Sequence, residues 1–133
     1  MLKTRIIRQK VTMPAKPLEV YEAYIDAEKH SEFTGAEATS DPKVGGEFTA
    51  WDGYISGRFL VIDPGRMIVQ EWRSSDFPED ASVSRLKLTF KSVENGTQIM
   101  LVHSSVPEEI ADDIEQGWRS FYWEPMEKFF KRS

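Results

Sequence analysis

"IADDIEQGWRSFYWEPMEKFF", residues 110–130, decides how this chain is put together. Ile110, Ile114, Trp118, Phe121, Pro125 and Phe129 fall within one arc of a helical wheel at about 100° per residue. The segment therefore predicts one long amphipathic helix with an apolar face to cover. Pro125 removes a backbone donor in its middle and predicts a kink there. Gly117 is expected to let the helix approach its neighbour closely. Trp123 lies opposite the apolar arc, with Phe130 on its side and Met126 nearby. That second stripe predicts contact with something other than the core, because aromatic residues and methionine are enriched at interfaces.

Upstream of this helix the pattern is that of strands. "SVSRLKLTFKS" puts Leu86, Leu88 and Phe90 on one face, and "TQIMLVHS" puts Ile99, Leu101 and His103 on one face. Asn95-Gly96 between them is a strong hairpin signal, and Asp52-Gly53 and Asp63-Pro64-Gly65 mark further turns. Residues 4–13, rich in β-branched side chains, suit a first strand. Pro17 opens a first helix, and "AEKHSEF" adds a short second one ending near Gly35. The order is strand, one or two short helices, an antiparallel meander, then the closing helix. A sheet with one apolar face must cover it, and only the last helix is long enough. An α+β fold follows, with a curved antiparallel sheet of six to seven strands around the C-terminal helix.

Composition narrows the function. The chain has 133 residues, most simply one domain over residues 1–133, with a formal net charge of −5. That balance argues against a nucleic-acid binder. There is no cysteine, and His30 and His103 are the only histidines, so thiolate and multi-histidine metal sites are excluded. No apolar run is long enough to span a bilayer, and the N-terminus lacks the continuous apolar stretch of a signal peptide. A cytoplasmic setting is expected, with no cofactor.

"DPKVGGEF", "SGRFLVIDPGRMIVQEWR", "LKLTF", "GTQI" and "GWRSFYWEPMEKFF" together resemble the C-terminal domain of the activator of the heat-shock-90 chaperone ATPase, a member of the START-like (SRPBCC) superfamily. The resemblance runs over roughly residues 14 to 130. Its marks are Gly45-Gly46, Trp72-Arg73 and the segment from Gly117-Trp118 to Pro125. It implies a helix-grip fold of seven strands, often with a cavity for an apolar ligand between sheet and helix. The eukaryotic activator also has an N-terminal domain that supplies much of its chaperone contact. These 133 residues contain nothing that resembles it, so the resemblance carries over the module alone.

The leading expectation is a non-enzymatic domain holding a small apolar or amphipathic ligand. Trp118 and Tyr122 each pair an apolar body with a polar group and suit a mostly apolar wall. Trp72, Leu88, Leu101 and His103 are expected to complete the lining, and Phe33 sits where relatives often close the cavity mouth. The alternative is a protein-interaction module or chaperone accessory whose partner, a chaperone or a second copy, meets the Trp123/Met126/Phe130 stripe. A third reading, an enzyme like some START-like cyclases and hydrolases, would need His103 paired with an acid or hydroxyl in a wet pocket. No catalytic residue is assigned. Phe121 is expected in the core and His30 in solvent. "PEEIADDIE" reads as an acidic first turn that complements the helix dipole, and Gly45-Gly46 lacks the context of a phosphate loop.

Overall fold

A computed structural model describes residues 3–131. The chain opens with β1 (Thr4–Met13), followed by α1 (Pro17–Ile25) and α2 (Ala27–Thr34). Then come β2 (Thr39–Ser40), β3 (Glu47–Ala50), β4 (Ile55–Asp63), β5 (Met67–Ser74), β6 (Ser84–Val93) and β7 (Gly96–Pro107). The C-terminal helix begins as α3 (Glu108–Gly117), widens into a π-helical turn (Trp118–Trp123) and ends as α4 (Glu124–Lys131). The seven strands form one sheet in the order β1-β7-β6-β5-β4-β3-β2, with every pair antiparallel. This is the expected helix-grip arrangement.

Alternation drives the layering. Leu86, Leu88 and Phe90 of β6 and Ile99, Leu101 and His103 of β7 all turn inward and are buried. Leu88 stands opposite Leu101, and Leu86 opposite His103. Pro17 occupies the first turn of α1, and α2 ends at Gly35 in the left-handed conformation that glycine adopts without strain. Tyr21 of α1 meets Phe90 edge-on at 6.0 Å, which seats α1 on the sheet. The β6–β7 turn is Glu94-Asn95 rather than Asn95-Gly96, because Val93 pairs with Gly96. Gly96 has a different reason to be glycine: a Cβ there would lie 2.0 Å from the Met13 carbonyl oxygen.

The C-terminal helix departs from the expected wheel. Pro125 in a continuous α-helix would clash with the carbonyl of Phe121 and leave it without a donor. The backbone instead widens before the proline, and the Glu124 N–H reaches the Arg119 carbonyl, five residues back. Such a turn holds roughly one extra residue and turns every later side chain relative to the α3 face. Trp123 and Met126 therefore face the sheet, 5% and 0% exposed, and Phe130 packs half-buried against the core. The stripe expected to meet a partner is thus core. Phe121, expected in the core, is rotated out and is 56% exposed.

Gln9 on β1 holds this turn in place. Its side-chain oxygen accepts from Trp123 Nε1 at 2.7 Å, while its Nε2 donates to the Glu115 carbonyl at 2.8 Å. One buried amide thus satisfies an indole on the π turn and a carbonyl on α3. Trp123 also stacks on Trp118, with ring centroids 5.5 Å apart and planes 22° apart.

Candidate functional site

A cleft of about 450 Å³ opens between the C-terminal helix and the β3–β5 half of the sheet. Trp72 and Ser74, at alternate positions of β5, turn the same way and form part of its wall. Ile110, Ile114, Trp118 and Tyr122 line it from the helix. Gly117 lines it too, and a Cβ placed there meets only the Phe121 ring, at 3.6 Å. Glycine at 117 is therefore not required for close approach to the sheet. It leaves space in the cleft.

The mouth is built by the β3–β4 turn and the exposed Phe121. Trp51 has φ of 53° and Asp52 of 58°, left-handed values that cost a non-glycine residue about 1–2 kcal/mol. The turn is held by the Asp52 N–H on the Glu37 carbonyl and by the Glu37 N–H on Asp52 Oδ1, both at 3.0 Å. This geometry sets the Trp51 ring edge-on to Phe121 at 5.5 Å and to Tyr122 at 6.5 Å. Tyr54 follows on the rim and donates its hydroxyl hydrogen bond to Asp76. Burial and the Asp76 carboxylate raise the Tyr54 phenol, with Asp113 adding to the effect.

Of the residues expected to line a cavity, Trp72, Trp118 and Tyr122 do line this cleft. Phe33, Leu88, Leu101 and His103 lie outside it. Leu88 and Leu101 are 1% exposed and fill the core between helix and sheet. Phe33 packs on His30, Tyr122 and Phe129 instead of closing a mouth. Trp51, Tyr54, Asp76 and Asp113 carry no signal in the periodicity, since they reach the cleft from a turn, a loop and the outer edge of a helix. Only the Asp52-Gly53 turn pair beside it could have hinted at Trp51.

Both histidines are buried in satisfied networks. Trp118 Nε1 donates to His103 Nδ1 at 3.2 Å, so the neutral ring carries its proton on Nε2. That proton goes to Ser84 Oγ at 2.8 Å, and Ser84 donates onward to the Trp72 carbonyl at 2.6 Å. The histidine gives a proton to the serine instead of taking one, which is the wrong polarity for a nucleophile and its base. Burial pushes the His103 pKa down to about 3. His30 is buried rather than solvated: its Nδ1 donates to the Tyr24 carbonyl at 2.8 Å and its Nε2 accepts from the Tyr122 hydroxyl at 2.9 Å. Burial lowers its pKa, partly offset by the Tyr24 hydrogen bond. Burial likewise holds the Tyr122 phenol well above its ordinary range.

Two polar groups of the cleft wall lack such partners. Trp72 Nε1 makes no hydrogen bond among the described residues, although the residue is only 4% exposed. Ser74 Oγ, on a residue 3% exposed, approaches the Tyr54 hydroxyl without a hydrogen bond of ordinary geometry. A buried donor left unpaired costs about 1–3 kcal/mol. Among the described residues no group of three or more histidines or carboxylates could hold a metal ion, and no helix is long and apolar enough to cross a membrane.

The outer face of the sheet has its own character. β1, β6 and β7 contain no carboxylate. Arg8, Lys10, Arg85, Lys87 and Lys91 point outward from them and form no ion pair among the described residues. Arg8 and Lys87 flank Val102 in one row, and Lys10 stands beside Met100 in the next. The C-terminal helix on the opposite side carries Glu108, Glu109, Asp112, Asp113, Glu115, Glu124 and Glu127.

Residues 14–131 match the family model described as Activator of Hsp90 ATPase homolog 1-like protein. The Homo sapiens Activator of 90 kDa heat shock protein ATPase homolog 1 is 31% identical over 124 residues, covering 93% of this chain and 36% of that protein. The Dictyostelium discoideum homologue is 27% identical over 118 residues, covering 87% of this chain and 30% of its own length. The chain thus spans about a third of these curated relatives. A crystal structure of an HSP90 activator from Plasmodium falciparum superposes with a TM-score of 0.82 at 26% identity, covering 95% of this chain and 94% of that one. The solution structure of an Aha1 dimer from Colwellia psychrerythraea, at 15% identity and a TM-score of 0.81 over 96% and 97% of the two chains, shares the fold. By sequence over nearly its whole length, and by a seven-stranded sheet gripping a C-terminal helix, the chain belongs to the Activator of Hsp90 ATPase homolog 1-like family.

Proposed function

We propose that this chain is a chaperone-accessory module that docks on an Hsp90-type ATPase and raises its turnover. The relatives named as ATPase activators support the role. One observation supports the surface: the unpaired cations of β1, β6 and β7, interleaved with half-exposed Val102 and exposed Met100. Arg8 and Lys87 sit two strands apart, about 10 Å, so their fields overlap at ordinary ionic strength. Such a face is repelled by itself and complements an acidic protein surface. It contains no aromatic ring on which a nucleobase could stack. This face takes the place of the Trp123/Met126/Phe130 stripe, in which Trp123 and Met126 are buried and Phe130 is half-buried.

The test is the steady-state ATPase rate of the Hsp90-type chaperone from the same host, titrated with this protein. A saturable rise is expected. The Arg85→Glu/Lys87→Glu double variant should weaken that rise at least tenfold while its melting temperature stays put, because both side chains are exposed. No binding, or an unchanged response from the double variant, overturns the proposal.

A second reading is favoured by the cleft itself. Its volume lies in the range of small-molecule sites, and its wall is apolar with a few polar groups. A small amphipathic ligand there is compatible with docking through the opposite face.

A further inference from the structure

The geometry points to an amphipathic organic cation as the occupant of the cleft between the helix and β5. This inference rests on the second reading above and adds the charge and shape of what is bound. Three features converge on it. The lining contains two carboxylates, Asp76 and Asp113, and no lysine, arginine or histidine. Both carboxylates are exposed at the rim, so an ammonium group there remains partly hydrated and avoids the cost of full burial. The nearby Arg73 is turned away, donating to the carbonyls of Ala81 and Pro78 and lying over the Phe77 ring at 5.4 Å.

The second feature is aromatic. Trp51, Tyr54 and Phe121 surround the same mouth, and aromatic faces attract ammonium groups through their quadrupoles. Trp51 is held there by a left-handed backbone that a residue of its size rarely adopts, and the Glu37–Asp52 hydrogen bonds maintain that conformation. Exposed Phe121 is placed there by the π turn. An anionic headgroup would meet two carboxylates and the negative faces of three rings. The cleft discriminates by charge.

The third feature is the apolar wall inside the mouth, to which the buried Trp72 ring contributes. The apolar body of the ligand would lie along Ile55, Ile110 and Ile114. Gly117, which nothing in the packing demands, leaves room for it.

The experiment compares probes that share one chain and differ in charge: octanoylcholine, octylammonium, octanol and octanoate. Binding is followed by thermal shift and by the indole N–H resonances, with Trp72→Phe identifying the Trp72 signal. Octanoylcholine is expected to bind at least tenfold more tightly than octanoate and to move the Trp72 resonance. Asp76→Asn/Asp113→Asn should reduce that preference below threefold. Gly117→Leu should abolish binding without lowering the melting temperature, since leucine favours a helix over glycine. Octanol or octanoate binding as tightly as the cations would overturn the charge assignment while leaving a ligand cleft in place. Binding that leaves the Trp72 signal unmoved, or survives Gly117→Leu, would put the ligand elsewhere and overturn the inference. Binding by none of the four would overturn both the inference and the ligand reading.

Discussion

Protonating His103 would place a charge in the core, on a ring whose Nδ1 must stay unprotonated to accept from Trp118. Its folded pKa of about 3 lies below the value near 6.5 of an unfolded histidine. As pH falls, the unfolded chain takes up the proton first, so this contribution to stability is fully present above about pH 6.5. It is then lost progressively down to about pH 3. Between pH 7.5 and 5 the loss from His103 alone should be about 2 kcal/mol, read by urea unfolding at the two values. His103→Gln should be less stable at pH 7.5 but lose about that much less on acidification. An acid slope identical to that of the parent would show that His103 is not the group responsible. The inward position of His103 was legible from the alternation of β7. Its hydrogen-bond partners were not, because Ser84 and Trp118 approach it from elements distant in sequence.

At the scale of the element, the C-terminal helix shows what one extra residue per turn can do. An α-helix advances about 100° per residue, so removing one residue from the widened turn should restore an α turn with Trp123 and Met126 still facing inward. Deletion of Ser120 should therefore fold with both residues still in the core, losing about 3 kcal/mol because Pro125 then lies inside a continuous α-helix. An alanine inserted after Ser120 instead turns both residues off the sheet, and with two large core side chains misplaced the cost should reach at least about 4 kcal/mol. Denaturant midpoints of the two variants decide it: equal losses would mean that the turn does not set the register. The helix, its apolar character and the disturbance at Pro125 were all readable in residues 110–130. Which stripe faced the core was not. The wheel assumes a uniform pitch, and the Gln9 bridge to Trp123 and Glu115 comes from a strand more than a hundred residues away.

Across the whole molecule the charges are sorted by side. A net charge of −5 describes a uniformly acidic protein, whereas the fold gathers cations on β1, β6 and β7 and carboxylates on the helix. If the basic face carries docking, the association rate with the chaperone should fall steeply between 50 and 300 mM salt, roughly tenfold or more, while dissociation changes little. Stopped-flow or surface-binding kinetics would show this, and a salt-independent association rate would count against the electrostatic surface. The absence of acids from those strands is plain in the sequence. Their assembly into one face requires the order β1-β7-β6, which joins the first strand to the last.

By itself the sequence determined the order of elements, the inward residues of β6 and β7, the membership in a helix-grip family, and three walls of the cleft in Trp72, Trp118 and Tyr122. Those features rest on local periodicity and on contiguous motifs, which a linear chain displays directly. Tertiary structure alone decided the burial of Trp123 and Met126, the exposure of Phe121, the closed networks around both histidines and the acidic, aromatic mouth at Trp51, Tyr54, Asp76 and Asp113. Each of these depends on a non-uniform helix pitch, on a left-handed turn, or on hydrogen bonds between residues far apart in the chain. Pattern reports which face a residue takes on its own element; only packing fixes what that face meets.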